Sequence, residues 1–361
     1  MCALPMPDPL IIWAVSDGRS GIENQAAGLA EAVARLIPGA RVEIKRVAWK
    51  GRTGRLPVML NLFPRRWLTP ESDVLGPPWP DLWIAAGRAT LPLSVRVRKW
   101  SGGRTFVVQT QDPRLPPRLF DLVAPPRHDR LQGDNVFALT GSPHRVTPER
   151  LEAEGARFAP RLGGLPGPKV AILIGGRSRA FDLPPAHAES LGQALEAALE
   201  SAGASVMMTF SRRTPEASKA ALTRHLARRP GLIWDGEGDN PYFAFLAQAD
   251  FILVTEDSIN MAAEAASTGK PVFILPMRGR SVRIRRFHED LEARGAARPF
   301  GGQFYRWTYT PLRETERAAA EIARRLNERA PGAAEVSGKP TATPRRPAGR
   351  AKRPAGQPSP S

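Results

Sequence analysis

The chain has 361 residues, 42% of them hydrophobic, and carries a formal net charge of +17. This composition excludes a collagen-like fibre and a wholly disordered chain. The single cysteine, Cys2, excludes an internal disulfide and a cysteine-rich zinc site. At roughly 150 residues per domain, the length predicts two domains.

The two ends of the chain differ from its middle. Residues 337–361 hold six lysines or arginines, six prolines and no acidic residue, so we predict a disordered, basic, proline-rich tail over 331–361. Residues 1–9 lack the basic start of a secretory signal. No apolar run reaches the roughly 18–20 residues that cross a bilayer. We therefore expect a cytoplasmic protein.

Short apolar runs alternate with helical patterns through residues 10–162, which is typical of a parallel sheet covered by helices. Ser20 and Glu23 have the spacing of a capping box and predict the start of the first helix. Thr147 and Pro148 predict the start of another. The predicted strands cover 10–15, 41–47, 81–86, 105–110 and 122–124.

The same alternation restarts after a stretch rich in glycine and proline at 163–169. The predicted strands there cover 170–174, 205–210, 232–234, 250–255 and 271–276. We therefore predict an α/β fold of two doubly wound, Rossmann-like domains that face each other across a cleft. The predicted bounds are 1–162 for the N-terminal domain, 163–310 for the C-terminal domain and 311–330 for a C-terminal helix.

The most informative segment is 251–276, where a buried strand is followed by a helix rich in alanine. Asp257 and Ser258 stand where that helix begins. A helix N-terminus presents unpaired N–H groups and the positive end of the helix dipole, which suit a diphosphate. Glu264 lies about two turns into the helix, where a carboxylate can accept hydrogen bonds from ribose hydroxyls.

Gly175, Gly176 and Arg177 follow the first strand of the second domain. Glycines let backbone N–H groups approach a phosphate, and an arginine can bind one through two parallel hydrogen bonds. A tight turn with surface arginines remains an alternative. The motif is not a Walker A loop, and no G-x-G-x-x-G occurs in the chain, which disfavours a Rossmann dehydrogenase.

The segment 255–272, which reads TEDSINMAAEAASTGKPV, resembles the donor-nucleotide segment of GT-B glycosyltransferases. The chain from about residue 9 to residue 329 resembles the Elm family, which joins plant mitochondrial-fission factors to many bacterial proteins regarded as glycosyltransferases. The resemblance implies a GT-B-like fold, a ribose-binding glutamate at Glu264 and a phosphate-binding turn at Thr255, Asp257 and Ser258. It rests also on residues 13–33, 80–90, 108–114, 120–129, 133–147, 172–176 and 287–300.

Transfer of a sugar to a hydroxyl needs a general base that removes the proton of that hydroxyl. The candidates are Asp17 and Asp112, which follow strands of the first domain, and His288. Asp112 precedes Pro113 in the pattern of an Asx-turn, so a structural role stays open for it. The predicted acceptor- or phosphate-binding loops contain Gly18, Arg19, Ser20, Gly87 and Arg88.

The chain offers little to hold a metal ion. No D-x-D motif occurs, and the five histidines lack the spacing of metal ligands. The acidic run 235–239 lacks the glycine and the final glutamate of a calcium loop. We expect a reaction without metal or cofactor, in which backbone dipoles and arginines stabilise the leaving diphosphate.

Residues 45–67 mix basic and aromatic side chains and contain no acidic residue. Such a mixture suits an anionic membrane surface, here the inner face of the membrane, or a lipid-linked acceptor. Nucleic acid is not an expected partner, because no recognition motif accompanies the charge. The basic residues are Lys45, Arg46, Lys50, Arg52, Arg55, Arg65 and Arg66, and the apolar ones include Trp49, Leu60, Leu62, Phe63 and Trp67.

We expect the domain 163–310 to bind a nucleotide-diphosphate sugar and the domain 1–162 to bind the acceptor, a glycolipid or surface-polysaccharide precursor. Sugar transfer between them is the expected function. Two alternatives stay open. One is a non-catalytic interaction protein like the fission factors. The other is a non-hydrolysing nucleotide-sugar epimerase, which shares the two-domain architecture.

Overall fold

The computed structural model describes residues 9–329 apart from residues 52, 59 and 62. Cys2 and the predicted tail over 331–361 therefore lie outside the described residues, as do Arg52 and Leu62 of the basic segment. Among the described residues, no helix has the length and apolar character needed to span a membrane.

The first domain is built on a parallel sheet with the strand order β2-β1-β3-β4-β5. The inner strands are buried on both faces, which explains their continuous apolar runs. Two helices flank this sheet, α1 (Ser20–Leu36) and α2 (Leu91–Trp100). The strands are β1 (Ile11–Ser16), β2 (Arg41–Arg46), β3 (Leu82–Ala85), β4 (Phe106–Gln109) and β5 (Leu122–Val123).

The predicted capping box of α1 is wrong. Arg19 occupies the N-cap position without a capping side-chain hydrogen bond, and Ser20 is already inside the helix. Glu23 instead forms an ion pair with Arg46 of β2, at 2.6 Å. The carboxylate at the first turn thus joins α1 to the neighbouring strand, where an opposite charge is within reach.

Two helices follow the first sheet, α3 (Pro148–Arg157) and α4 (Ala159–Leu162). Thr147 caps α3 as predicted, because its hydroxyl accepts a hydrogen bond from the Arg150 amide at 3.2 Å. Both helices pack on the second domain rather than the first, since Phe158 and Leu162 belong to its core. The chain therefore crosses between domains before α3, upstream of the predicted bound at residue 162.

The second domain holds a parallel sheet with the order β13-β11-β10-β6-β8-β9 and a separate antiparallel pair, β7 with β12. The strands are β6 (Lys169–Ile174), β7 (Phe181–Asp182), β8 (Ser205–Phe210), β9 (Gly231–Ile233), β10 (Phe251–Thr255), β11 (Val272–Leu275), β12 (Arg278–Gly279) and β13 (Ala297–Pro299). The helices are α5 (Pro185–Ser201), α6 (Glu216–Leu226), α7 (Tyr242–Gln248), α8 (Ile259–Ala266), α9 (Val282–Ala293) and α10 (Glu314–Arg329).

The last helix returns to the first domain. Its apolar stripe, which includes Ala318, Ala319 and Ile322, joins the core beneath α1. The helix begins at Glu314 and not at residue 311, because Leu312 is buried in the second domain before the chain crosses back. The predicted fold class, two facing Rossmann-like domains, is confirmed.

Candidate functional site

The loops after β6 and β10 meet at the carboxyl edge of the second sheet, because these two strands are neighbours. The Gly175 amide donates a hydrogen bond to the Thr255 hydroxyl at 2.7 Å. The Thr255 hydroxyl in turn donates to the Asp257 carboxylate at 2.8 Å. The structure thus brings the glycine pair and the predicted phosphate-binding turn into direct contact.

Asp257 is the centre of this cluster, and its side chain is fully buried. Its second carboxylate oxygen accepts hydrogen bonds from the Gly176 amide at 3.1 Å and from the Arg213 guanidinium at 2.8 Å. A buried carboxylate is tolerated only when it is paired and hydrogen-bonded, and Arg213 supplies the opposite charge. Asp257 therefore organises the loops, and both of its carboxylate oxygens are bonded within the protein.

Both glycines are required by close packing. A Cβ on Gly175 would lie 2.0 Å from an Asp257 carboxylate oxygen, and one on Gly176 would lie 2.3 Å from the backbone of Arg213. The amides of this loop are engaged within the protein, since the Arg177 amide also donates to the Arg213 carbonyl at 2.9 Å. These amides therefore have partners within the protein, and their predicted approach to a phosphate stays a prediction. The side chain of Arg177 is exposed.

The N-terminus of α8 is the remaining candidate for a backbone anion site. Ser258 caps this helix, its hydroxyl accepting from the Met261 amide at 3.4 Å. The first amides of a helix have no partner within the helix and carry the positive end of its dipole. Arg213 lies beside this helix end through its bond to Asp257, and its side chain is 46% exposed.

Glu264 lies in the second turn of α8 and is buried. Burial raises the pKa of its carboxyl to about 7, although a hydrogen bond from the Tyr242 hydroxyl partly opposes that shift. Tyr242 is the first residue of α7. The side chain of Asn240, which precedes this helix, accepts a hydrogen bond from the Tyr242 amide at 3.0 Å. Glu264 is thus held by a neighbouring helix in a largely desolvated site.

The loops of the first domain that were predicted to bind acceptor or phosphate lie at the carboxyl ends of β1 and β3, which are neighbours. Gly18 adopts a φ of +75°, and Gly87 a φ of +83°. A Cβ on Gly87 would lie 2.9 Å from the Ile22 side chain of α1. Arg88 is exposed beside it, and Ser20 is the first residue of α1.

The two candidate carboxylate bases are each paired with a nearby arginine. Asp17 forms an ion pair with Arg19 at 2.6 Å. Asp112 accepts a hydrogen bond from the Arg114 amide at 2.8 Å and pairs with the Arg114 guanidinium at 3.0 Å. The first of these bonds is the Asx-turn considered for Asp112.

His288 presents a different arrangement. Its Nε2 lies 2.8 Å from the Glu256 carbonyl oxygen, which can only accept, so Nε2 carries the hydrogen. Among the described residues, Nδ1 is buried without a hydrogen-bond partner. Burial lowers the pKa of His288, so the ring is neutral at pH 7 and Nδ1 is a bare acceptor.

A cavity of about 790 Å³ adjoins His288 and Glu256 at the carboxyl ends of β11 and β13. Burial raises the pKa of Glu256, and one of its carboxylate oxygens accepts from the Met277 amide at 2.8 Å. The glycine pair and Glu264 lie outside the cavity lining, so the cavity extends the site to one side. Its lining also includes Phe181, Ile274, Arg280, Arg285, Pro299 and Phe300.

Comparison with known proteins identifies the family. The sequence profile of the family described as Mitochondrial fission ELM1 matches residues 20–326. This chain belongs to that family. The Mitochondrial fission protein ELM1 of Arabidopsis thaliana is 31% identical over 277 residues, so the match spans 69% of this chain and 65% of the plant protein.

Another relative is an uncharacterized protein of Rickettsia prowazekii (strain Madrid E), 27% identical over 86% of this chain and 97% of that protein. Among solved structures, the UDP-GlcNAc 2-epimerase of Methanocaldococcus jannaschii superposes with a TM-score of 0.51 at 12% identity. The match covers 88% of this chain and 99% of the epimerase. At this identity the likeness shows the shared fold alone.

The candidate functional site contains residues that sequence reasoning missed. Arg213 lies in the loop after β8, which adjoins β6 only because of the strand order. Asn260, in the first turn of α8, donates to the Gly21 carbonyl and accepts from Gln25 of α1, both at 3.2 Å. The helix that offers the anion site is thereby bonded to the first domain. Gln25 and Asn260 lie in segments that carry the family resemblance, but no role was predicted for them, and no sequence motif marks Arg213.

Proposed function

We propose that this chain is a glycosyltransferase that moves a sugar from a nucleotide-diphosphate sugar to a hydroxyl of a glycolipid or surface-polysaccharide precursor. The observation that carries the proposal is the pairing of the α8 N-terminus with the buried Glu264, at the sheet edge that faces the first domain. The name of the structurally similar epimerase specifies a UDP-sugar, which supports a ligand of the same class.

The donor nucleotide is assigned to the second domain. In the proposal, the diphosphate lies at the N-terminus of α8, where the helix dipole and the exposed side chains of Arg177 and Arg213 favour negative charge. Glu264 accepts hydrogen bonds from the ribose hydroxyls. The Tyr242 hydroxyl holds one of its oxygens, which leaves the other for the ligand. Thr255, Asp257, Gly175 and Gly176 support this arrangement without touching the ligand.

His288 is the proposed general base. Its neutral ring has an unshared electron pair on Nδ1, whereas Asp17 and Asp112 are each held by an arginine. Because Nδ1 is buried, the proposal requires that acceptor binding open this side of the ring. In the reaction the acceptor oxygen forms a bond to the anomeric carbon while the bond from that carbon to the diphosphate oxygen breaks. Nδ1 takes the acceptor proton, and the nucleoside diphosphate leaves. No metal or cofactor is part of the proposal.

Calorimetry with a panel of nucleotide-diphosphate sugars tests donor binding. The wild-type chain is expected to bind at least one of them, and Glu264→Gln should weaken that binding roughly ten- to hundredfold, the effect of losing charge-assisted hydrogen bonds worth ~1.5–3 kcal/mol. Glu200→Gln, on the exposed side of α5, is the matched control and should bind as the wild type does. A wild-type chain that binds no nucleotide sugar would refute the proposal.

Turnover separates the proposal from its two rivals. An epimerase alters the sugar in an incubation of the donor alone, whereas a transferase needs the acceptor. A non-catalytic interaction protein gives neither product. His288→Gln should retain donor affinity and lower kcat. Equal loss of donor affinity in this variant would show that His288 serves donor binding instead.

A further inference from the structure

The segment after β2 leaves the first domain and returns to it as a closed loop. The Thr69 amide donates to the Ala48 carbonyl at 2.9 Å, and the Lys50 amide donates to the Trp67 carbonyl at 2.8 Å. These bonds join the two ends of the excursion. We call residues 50–67 the apolar loop.

The apolar loop is fixed to the domain at both of its sides. The Trp49 ring nitrogen donates to the Ala89 carbonyl at 3.0 Å, just before the loop begins. Within the loop, the Arg65 guanidinium lies over the rings of Trp79 and Trp100, at 5.7 and 5.4 Å from their centroids. Such cation–π contacts hold Arg65 against the domain.

The outer side of the apolar loop presents large apolar side chains to solvent. Leu60 is 71% exposed, Phe63 is 62% exposed, and Trp67 and Leu56 are 44% and 43% exposed. Single exposed apolar residues are ordinary, but several on one short loop indicate a surface that contacts another apolar phase.

The charged residues in the segment that contains these side chains are all basic. Between residues 44 and 70 the chain contains no aspartate or glutamate. Lys50 and Arg66 are exposed, and the Arg66 guanidinium lies 5.2 Å from the Phe63 ring centroid. Asp73, beyond the loop, accepts a hydrogen bond from the Arg46 amide at 2.6 Å and so stays with the domain. Cations beside exposed aromatic and aliphatic side chains complement the anionic headgroups and the apolar interior of a bilayer surface.

We propose that the apolar loop docks the protein on an anionic lipid bilayer. Leu60, Phe63 and Trp67 enter the boundary between headgroups and acyl chains, while Lys50 and Arg66 lie at the level of the lipid phosphates. The docking is peripheral and independent of the proposed sugar transfer, because none of these residues belongs to the candidate functional site.

Vesicle sedimentation with the full-length chain tests the proposal. The vesicles consist of phosphatidylcholine with about 30 mol% phosphatidylglycerol, an anionic lipid, so that their surface charge resembles that of an anionic leaflet. The wild-type chain should bind them and should bind pure phosphatidylcholine vesicles at least tenfold more weakly. The double variant Leu60→Ser with Phe63→Ser should lose at least tenfold in partitioning. Leu36→Ser, which removes a side chain 52% exposed at the end of α1, is the matched control.

Tryptophan fluorescence then separates loop insertion from simple attraction of the basic tail over 331–361. Vesicles whose acyl chains carry bromine quench tryptophans that enter the bilayer. The wild-type chain should be quenched, and Trp67→Phe should remove that quenching while sedimentation persists. Unchanged binding of the double variant, or quenching that survives in Trp67→Phe, would overturn the proposal. A wild-type chain that stays unbound to anionic vesicles would do the same.

Discussion

Asp257 joins three separate loops of the second domain through one buried carboxylate. It accepts hydrogen bonds from Thr255, which ends β10, from Gly176, which follows β6, and from Arg213, which follows β8. A carboxylate buried in this way rigidifies its surroundings, because loss of any partner leaves a desolvated charge unpaired. The geometry at the carboxyl edge of the sheet therefore depends on one side chain whose two carboxylate oxygens are both bonded within the protein.

Gly175→Ala tests this dependence. The added Cβ would lie 2.0 Å from the Asp257 carboxylate, so the carboxylate must move from its partners, and we expect a loss of about 1–3 kcal/mol in the free energy of unfolding. Urea unfolding measures the change. Gly164→Ala is the control, because a Cβ there meets no atom within 4 Å. Equal stabilities for the two variants would contradict the packing argument.

Glu264→Gln should remove a pH dependence of stability. The folded protein raises the pKa of Glu264 from 4.5 to about 7, mainly through burial. Between these values the unfolded chain releases the proton and the folded chain keeps it, so stability is greatest below pH 4.5 and falls as the pH rises to 7. The fall is on the order of 3 kcal/mol at most.

The test compares the unfolding free energies of the wild type and of Glu264→Gln from pH 5 to pH 8. Over this range the stability of the variant relative to the wild type should rise by about 1–3 kcal/mol. Glu200→Gln, with an exposed carboxyl, should follow the wild type at every pH. Parallel curves for all three proteins would show that Glu264 titrates normally.

At the scale of elements, the pairing of α5 with α6 includes a small ionic network. His225 of α6 contacts Glu196 at 2.8 Å and Glu189 at 2.7 Å, both on α5. A Cβ on Gly192 would lie 2.6 Å from the His225 ring, so the glycine permits this close approach. The hydrogen bonds to Glu196 and Glu189 raise the pKa of His225 above 6.5.

His225→Gln should therefore affect stability in a pH-dependent way. The contribution of protonated His225 is fully present below pH 6.5 and is lost as the pH rises through the raised pKa of the folded state. We expect the variant to be about 1 kcal/mol less stable than the wild type at pH 5.5, and the gap to close by pH 9. Thermal unfolding in low salt measures it, and a gap independent of pH would show a purely packing role.

The elements themselves were largely predictable. Buried parallel strands such as β6 and β10 are continuous apolar runs, and Thr147 with Pro148 marks a helix start by local chemistry alone. The ion pair of Asp257 with Arg213 was not predictable, because it joins residues 44 positions apart whose strands become close only through the sheet order. The domain against which α3 packs could not be predicted either, because an amphipathic pattern does not specify which apolar surface covers the helix.

At the scale of the whole molecule, the chain passes between the domains twice, and the two crossings lie side by side. The Thr140 amide donates to the Glu314 carboxylate at 2.8 Å, and the His144 amide donates to the Thr315 hydroxyl at 3.1 Å. His144 also bonds to Ser267 of the second domain through Nε2, at 2.7 Å. Burial lowers the pKa of His144 to about 4, so this contact is made by the neutral ring.

Gly141→Ala should disturb the relation between the domains. A Cβ on Gly141 would lie 2.7 Å from the Ala263 side chain of α8, and the backbone there has a φ of +82°. Gly39→Ala shares the left-handed backbone, with a φ of +80°, but meets no atom within 4 Å. We expect about 1 kcal/mol of destabilisation from backbone strain in both variants and a further ~1–3 kcal/mol in Gly141→Ala. Small-angle scattering should show a larger radius of gyration for Gly141→Ala alone. Identical profiles would mean that the contact between residue 141 and Ala263 rearranges locally and leaves the domain arrangement unchanged.

The paired crossings also limit the kind of motion open to the cleft. Two domains joined by a single crossing can swivel about it, whereas two adjacent crossings that are hydrogen-bonded to each other favour rotation about an axis along that seam. Movement about such an axis changes the width of the cleft and preserves which loops oppose each other. The 2.6 Å ion pair between Asp129 of the first domain and Arg283 of α9 joins the domains at a further point. Its rupture would remove one bond between the domains and leave the two paired crossings intact.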